Sequence, residues 1–124
     1  MHELSIALCI FDIAVTESQR HKDAVVKAIH LQLGPLSGVV KQALESAFTL
    51  ACEGTSLGGS KLVIEETRIC VYCEVCQAEC EVESIQMLRC SQCGTPSSQI
   101  VRGREMDVIA LELELPETIP EASP

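Results

Sequence analysis

Two Cys-x-x-Cys pairs, Cys73/Cys76 and Cys90/Cys93, stand in the second half of the chain. Each can form a tight turn that aims two sulfurs at one ion. The 13 residues from Gln77 to Arg89 leave room between them for a short hairpin. Four thiolates close a tetrahedral shell of the kind that holds zinc. A closed site of this kind folds a segment that has almost no core of its own. Gly94, next to Cys93, suits a backbone that needs a positive φ. Two other thiols complicate the count: Cys70 makes an overlapping Cys-x-x-Cys with Cys73 and could replace a member of the quartet, and Cys80 is a further spare. Iron, as in a rubredoxin-type electron carrier, also takes four sulfurs, but usually behind aromatic shielding. A redox dithiol needs no second pair. Cys9 and Cys52 fall inside helical patterns and read as small core residues.

The rest of the composition narrows the function classes. The 124 residues can hold one modest domain, or one core plus a small metal-stapled lobe. Aromatic residues are 2% of the chain and Trp is absent, so the core must be aliphatic and no platform exists for stacking bases. The net charge of -9 has the wrong sign for phosphate, and between Cys70 and Gly94 the single basic residue Arg89 faces Glu74, Glu79, Glu81 and Glu83. Nucleic acid is therefore not an expected partner. Six of the eight cysteines crowd between Cys70 and Cys93, unlike a spread disulfide framework. The apolar run Ile6 to Val15 is too short to span a membrane and contains Asp12. The expectation is a cytoplasmic protein with reduced, metal-bound thiols. No Ser/His/Asp set, phosphate loop or paired-acid motif marks an enzyme.

Hydrophobic spacing gives the frame. Leu4, Ala7, Leu8, Phe11, Ala14 and Val15 predict a helix from Glu3 to about Arg20. Val25 to Leu33 reads as a strand with Val25, Ile29, Leu31 and Leu33 on one side and Lys27 interrupting it. A second helix is predicted over Val39 to Cys52, with Ser37 as N-cap and Gly54 as stop. Lys61 to Ile69 reads as a strand with Leu62 and Ile64 on one face. Glu105 to Leu115 is the cleanest strand, Ile109, Leu111, Leu113 and Leu115 alternating with Ala110, Glu112 and Glu114. The fold expected is α+β: a three-stranded sheet covered by two helices, with an inserted small zinc-ribbon-like lobe. Its divisions would be 1–69 plus 104–116, the metal lobe 70–103, and a tail 117–124.

The chain opens Met1-His2-Glu3. A free amine, the His2 amide and the His2 Nδ1 can close two small chelate rings in one plane. That flat, nitrogen-rich set suits Ni(II) or Cu(II). A further position is open to the Glu3 amide, a side chain, water or a partner. The same residues also suit a frayed, solvated terminus, and Glu3 is also an acid favoured in a first helical turn. His21 reads as a helix-end residue and His30 as a strand-face residue.

Taken in order, Met1-His2-Glu3, Gly34-Pro35-Leu36-Ser37, Ser46-Ala47-Phe48, Gly54-Thr55, Leu62-Val63-Ile64-Glu65-Glu66 and the two cysteine pairs resemble the HypA/HybF family of hydrogenase-maturation nickel chaperones. The resemblance covers about Met1 to Leu115. It implies a nickel-binding α/β domain with an inserted zinc lobe, nickel held as transient cargo at Met1, His2 and Glu3, and structural zinc at Cys73, Cys76, Cys90 and Cys93. It implies delivery of Ni(II) to the precursor of a [NiFe]-hydrogenase large subunit, with a partner GTPase; some relatives also serve urease maturation. Cys70 and Cys80 depart from the family pattern. So does Gly34 to Lys41, which has no carboxylate where some relatives place an accessory acidic ligand. The competing reading is a zinc-ribbon interaction module without cargo metal.

Overall fold

The computed structural model describes residues 3–115. Met1 and His2, two of the three expected nickel ligands, and the expected tail 117–124 lie outside the described residues.

Helix α1 (Glu3–Arg20) covers the stretch that its spacing predicts, but it buries a different face. Ile6, Ala7, Ile10 and Ala14 are buried, while Leu4 and Leu8 remain nearly half exposed. Apolar residues surround much of this helix, so periodicity alone does not choose a side. Packing chooses it: Ile6 and Ile10 join Leu44 and Phe48 of α2 (Lys41–Cys52) in one cluster. Full burial of side chains such as Leu44 and Phe48 contributes about 1.5–3 kcal/mol each.

Helix α2 starts later than its apolar stripe implied, with Val40 as N-cap. Ser37, the expected cap, instead accepts the Val39 N–H on its Oγ at 3.3 Å. Gly54, just past the helix, adopts φ +73° and stops it as expected.

Strand β1 (Val25–Leu33) is central. β2 (Lys61–Glu66) pairs parallel to it and β6 (Met106–Glu114) antiparallel, in the order β2-β1-β6. The parallel pair is joined through α2, since parallel neighbours need a crossover. The helices cover the apolar face. On the other face His30 meets Glu112 at 2.5 Å and Gln32 meets Glu65 at 3.0 Å.

Two register shifts correct the expected strand faces. Pairing passes from Val26↔Leu113 to Ala28↔Glu112, which leaves Lys27 as an extra residue. An extra residue reverses the inside–outside alternation. Val26 is therefore buried together with Ile29, Leu31 and Leu33, and Val25 is exposed. A second shift between His30↔Ala110 and Leu31↔Val108 leaves Ile109 unpaired. Val108 packs on the core in its place, with Leu111 and Leu113; Ile109 and Leu115 are exposed.

The predicted strand Lys61 to Ile69 is also broken. Thr67 N–H bonds the Leu33 carbonyl, and β3 (Ile69–Cys73) then starts a second sheet. That sheet contains β4 (Ala78–Val82) and β5 (Ile100–Arg102), ordered β4-β3-β5 and antiparallel throughout.

The two sheets meet where the loop after β1 crosses the return to β6. Gly34 N–H bonds the Glu105 carbonyl at 2.8 Å, and Leu36 N–H bonds the Gly103 carbonyl at 2.7 Å. Glu105 Oε1 accepts the Thr67 hydroxyl at 2.7 Å and the Gly103 N–H at 2.9 Å. The Thr67 hydroxyl, helped by backbone N–H groups, holds the Glu105 carboxyl below its ordinary value.

A Cβ on Gly34 would lie 2.2 Å from the Gly103 carbonyl oxygen and 2.8 Å from Arg104 N. Gly34→Ala must push two backbones apart and is expected to cost roughly 1–3 kcal/mol. The check is the chemical-denaturation midpoint; an unchanged midpoint would mean that the crossing is not tight. For Glu105, a depressed folded pKa gives stability that is present above the unfolded carboxylate value, about 4.3, and lost as pH falls through the folded value. Glu105→Gln should therefore lower stability at pH 7 and converge on wild type in acid, measured by denaturation at both pH values.

Candidate metal centre

The sulfur site is assembled by two turns on the second sheet. Cys73 is the last residue of β3 and pairs with Ala78, so Glu74 to Gln77 form the hairpin turn that carries Cys76. Gln77 closes it at φ +53°. The second turn is Cys90 to Thr95: Gly94 N–H bonds the Cys90 carbonyl at 2.8 Å, and Cys90 N–H bonds the Thr95 carbonyl at 2.9 Å. Gly94 sits at φ +77°, the conformation anticipated for it. Ser97 Oγ donates to the Tyr72 carbonyl at 2.6 Å and Tyr72 N–H to the Gln99 carbonyl at 2.9 Å, docking this turn against β3.

Together these turns bring the four sulfurs within 4.8 Å of one another. Cys73 Sγ lies 3.6 Å from Cys93 Sγ, and Cys76 Sγ 3.8 Å from Cys90 Sγ. A tetrahedron with Zn–S bonds of about 2.3 Å has edges of about 3.8 Å. The donor set and the spacing therefore fit a structural zinc. Cys73 and Cys90 are buried, whereas Cys76 and Cys93 face solvent. Cys70 and Cys80 are not in the cluster. Cys70 is buried in β3 opposite Arg102, and Cys80 pairs with Val71. Cys52 is a core residue as expected, but Cys9 is exposed on α1, a correction that follows from the rotated helix face.

The metal-free thiols divide into two pairs. Backbone N–H groups of Cys93 and Gln92 pull Cys90 down to about 6, and the Thr95 hydroxyl, 3.1 Å from Cys93 Sγ, lowers Cys93. Hydrogen bonds to Cys93 and Cys90 push Cys76 up to about 12. For Cys73 the Cys76 N–H pulls downward, but burial and the hydrogen bonds to Cys93 and Cys90 outweigh it and the net shift is upward. The surroundings thus favour the thiolate at Cys90 and Cys93 and the thiol at Cys73 and Cys76, and metal binding requires all four as thiolates. Thr95 was missed in the sequence; its only signal there is its place two residues after a ligand cysteine.

Of the expected nickel residues, Glu3 alone is described. It opens α1, and its Oε2 accepts the Val40 N–H at the start of α2, at 3.3 Å.

Structural zinc in comparable small motifs contributes about 10–16 kcal/mol of apparent binding energy at neutral pH. Chelation of zinc, or Cys90→Ser, should unfold the second sheet and leave the first intact. Amide exchange would then speed up in β3 to β5 and not in β1, β2 or β6; protection retained in β3 to β5 would show that sulfur ligation is dispensable.

A family model described as "Hydrogenase/urease nickel incorporation, metallochaperone, hypA" matches residues 1–113. A hydrogenase maturation factor HypA of Chloroflexus aurantiacus is 44% identical over 112 residues, covering 90% of this chain and 98% of the relative. The HypA of Roseiflexus sp. is 43% identical over 123 residues, covering 99% and 98%. Among solved structures, the Ni metallochaperone HypA from Helicobacter pylori superposes with a TM-score of 0.64 at 20% identity, covering 94% of this chain and 100% of the other. A second HypA solution structure gives 0.68, covering 91% and 96%. With an α+β frame, a four-sulfur centre and a match that runs from the first residue into β6, the chain belongs to the HypA family of hydrogenase/urease nickel-incorporation metallochaperones, which are not enzymes.

Proposed function

We propose that this chain binds Ni(II) through Met1, His2 and Glu3 and delivers it to the precursor of a [NiFe]-hydrogenase large subunit. In this reading Cys73, Cys76, Cys90 and Cys93 keep a structural zinc. The observation that carries it is the family match over residues 1–113, which spans both sets of residues. The chemistry of the terminus is consistent with cargo handling. The Met1 amine, the His2 amide and the His2 imidazole present nitrogen donors in one plane, with the Glu3 amide as the next donor along the chain. A site at a chain end is open on one side, so a receiving protein can approach the ion as it leaves. A closed thiolate shell offers no such route, which suits zinc to a lasting role.

The proposal includes a partner nickel-delivery GTPase and, by the family's description, a link to urease maturation proteins. It places the protein in the cytoplasm; among the described residues no helix is long and apolar enough to cross a membrane. It also divides the chain into a nickel unit, 1–69 with 104–116, and a zinc unit, 70–103.

Extending the chain by one glycine before Met1 spoils the terminal chelate and changes nothing else. Isothermal titration should show nickel affinity falling by at least about tenfold, roughly 1.4 kcal/mol, with zinc content and fold retained. His2→Ala should behave the same way. An extended protein that binds nickel as tightly as the native one would overturn the proposal.

A further inference from the structure

The four sulfurs of the metal centre are not equivalent. Cys73 and Cys90, the first members of their pairs, are buried, and each accepts a backbone N–H, from Cys76 and Gln92, at 3.4 Å. Cys93 is exposed, but the Thr95 hydroxyl stands 3.1 Å from its sulfur and donates to it once the sulfur is a thiolate. Cys76 differs from all three. Among the described residues no N–H or O–H donates to its Sγ, which meets only sulfur, Cys90 Sγ lying at 3.8 Å. The two turns diverge two residues after their second cysteine. One has Thr95 there. The other has Ala78, which carries no hydroxyl and is paired with Cys73 in the β3–β4 ladder. Cys76 is exposed, and so is every residue from Glu74 to Ala78, so the approach to this sulfur is open.

Metal ligation holds all four sulfurs as thiolates, so protonation does not rank them as nucleophiles. Exposure and hydrogen bonding do. A donated N–H or O–H draws charge from a thiolate and weakens its attack, and burial blocks the reagent. Cys93 loses reactivity by the first route, Cys73 and Cys90 by both. We propose that Cys76 is the reactive sulfur of the zinc centre, a modification site for small uncharged electrophiles such as hydrogen peroxide, and that its oxidation opens the centre. This rests on the reading of the quartet as a zinc site. The reagent is uncharged because the thiolates, with Glu74 and Glu79 beside them, repel anions.

The chemistry takes two steps. Cys76 Sγ attacks one peroxide oxygen; an S–O bond forms, the O–O bond breaks, and the departing hydroxide takes a proton from solvent to become water. Cys76 is oxidised by two electrons to the sulfenic acid and the peroxide is reduced. A second thiolate of the cluster, whose members all lie within 4.8 Å, then attacks the Cys76 sulfur. A disulfide forms, and the sulfenic oxygen leaves as hydroxide and is protonated to water. The cluster has then lost two of its four donors, and its grip on the metal with them.

The test uses the zinc-loaded full chain. Substoichiometric iodoacetamide, an uncharged probe, is followed by peptide mass mapping, with Cys9, exposed and outside the cluster, as reference. Within the quartet Cys76 should be labelled at least about tenfold faster than the other three. Thr95→Val removes the hydroxyl at nearly constant shape and should raise labelling of Cys93 about threefold while leaving Cys76 unchanged. Hydrogen peroxide should release zinc to a chromophoric chelator, and the first disulfide should contain Cys76. Labelling of Cys93 or a buried cysteine as fast as Cys76 would overturn the proposal. So would unchanged Cys93 labelling in Thr95→Val, a first disulfide without Cys76, or zinc that stays bound after Cys9 has been oxidised. If Thr95→Val retains less zinc than wild type, the labelling order in the wild-type chain decides alone. A chain that keeps no zinc before any reagent is added overturns the reading of the centre and the proposal together; bound zinc with the wrong order of labelling overturns the proposal alone.

Discussion

Between Ile69 and Arg102 only five hydrophobic residues are buried: Ile69, Cys70, Val71, Cys73 and Cys90. Three of the five are cysteines and two belong to the sulfur centre. A sheet of three short strands with so little apolar area cannot offset the entropy of ordering its chain. Convergence of four sulfurs on one ion is therefore the interaction on which this half of the molecule depends. The backbone around it is arranged for thiolates. N–H groups of Cys76 and Gln92 lie 3.4 Å from Cys73 and Cys90 sulfurs, and the Thr95 hydroxyl lies against Cys93. These donors offset the negative charge that a tetrathiolate carries.

The other half is held by ordinary burial, and among its described residues no thiol belongs to a metal cluster. The two halves meet at a few polar contacts on Gly103: its carbonyl accepts the Leu36 N–H, and its N–H donates to the Glu105 carboxylate. Ile69 packs beneath Gly103, whose added Cβ would stand 3.3 Å from it. Such a junction, small and built from backbone, transmits the position of one sheet to the other without fusing their cores.

The extents of α1, β1 and β6, the stop at Gly54, the positive φ at Gly94 and the four clustered cysteines were legible in the chain, because each depends on spacing within a few residues. The quartet was separable from Cys70 only in three dimensions, since strand alternation places Cys70 opposite Arg102 and away from the sulfur centre. The direction of α1 around its axis was not legible either, because Leu4 and Leu8 are as apolar as Ile6 and Ile10. The extra residues Lys27 and Ile109 likewise escaped, since a bulge is a property of two paired strands and not of either alone.

Sequence by itself therefore determined the local elements and the number of soft ligands, both of which follow from covalent spacing and side-chain chemistry. Tertiary structure decided which face of each element is buried, where the strand after Gly59 breaks to found a second sheet, and that Glu3 reaches the start of α2. These outcomes depend on contacts between residues dozens of positions apart, whose free energies are comparable among several local alternatives until packing selects one.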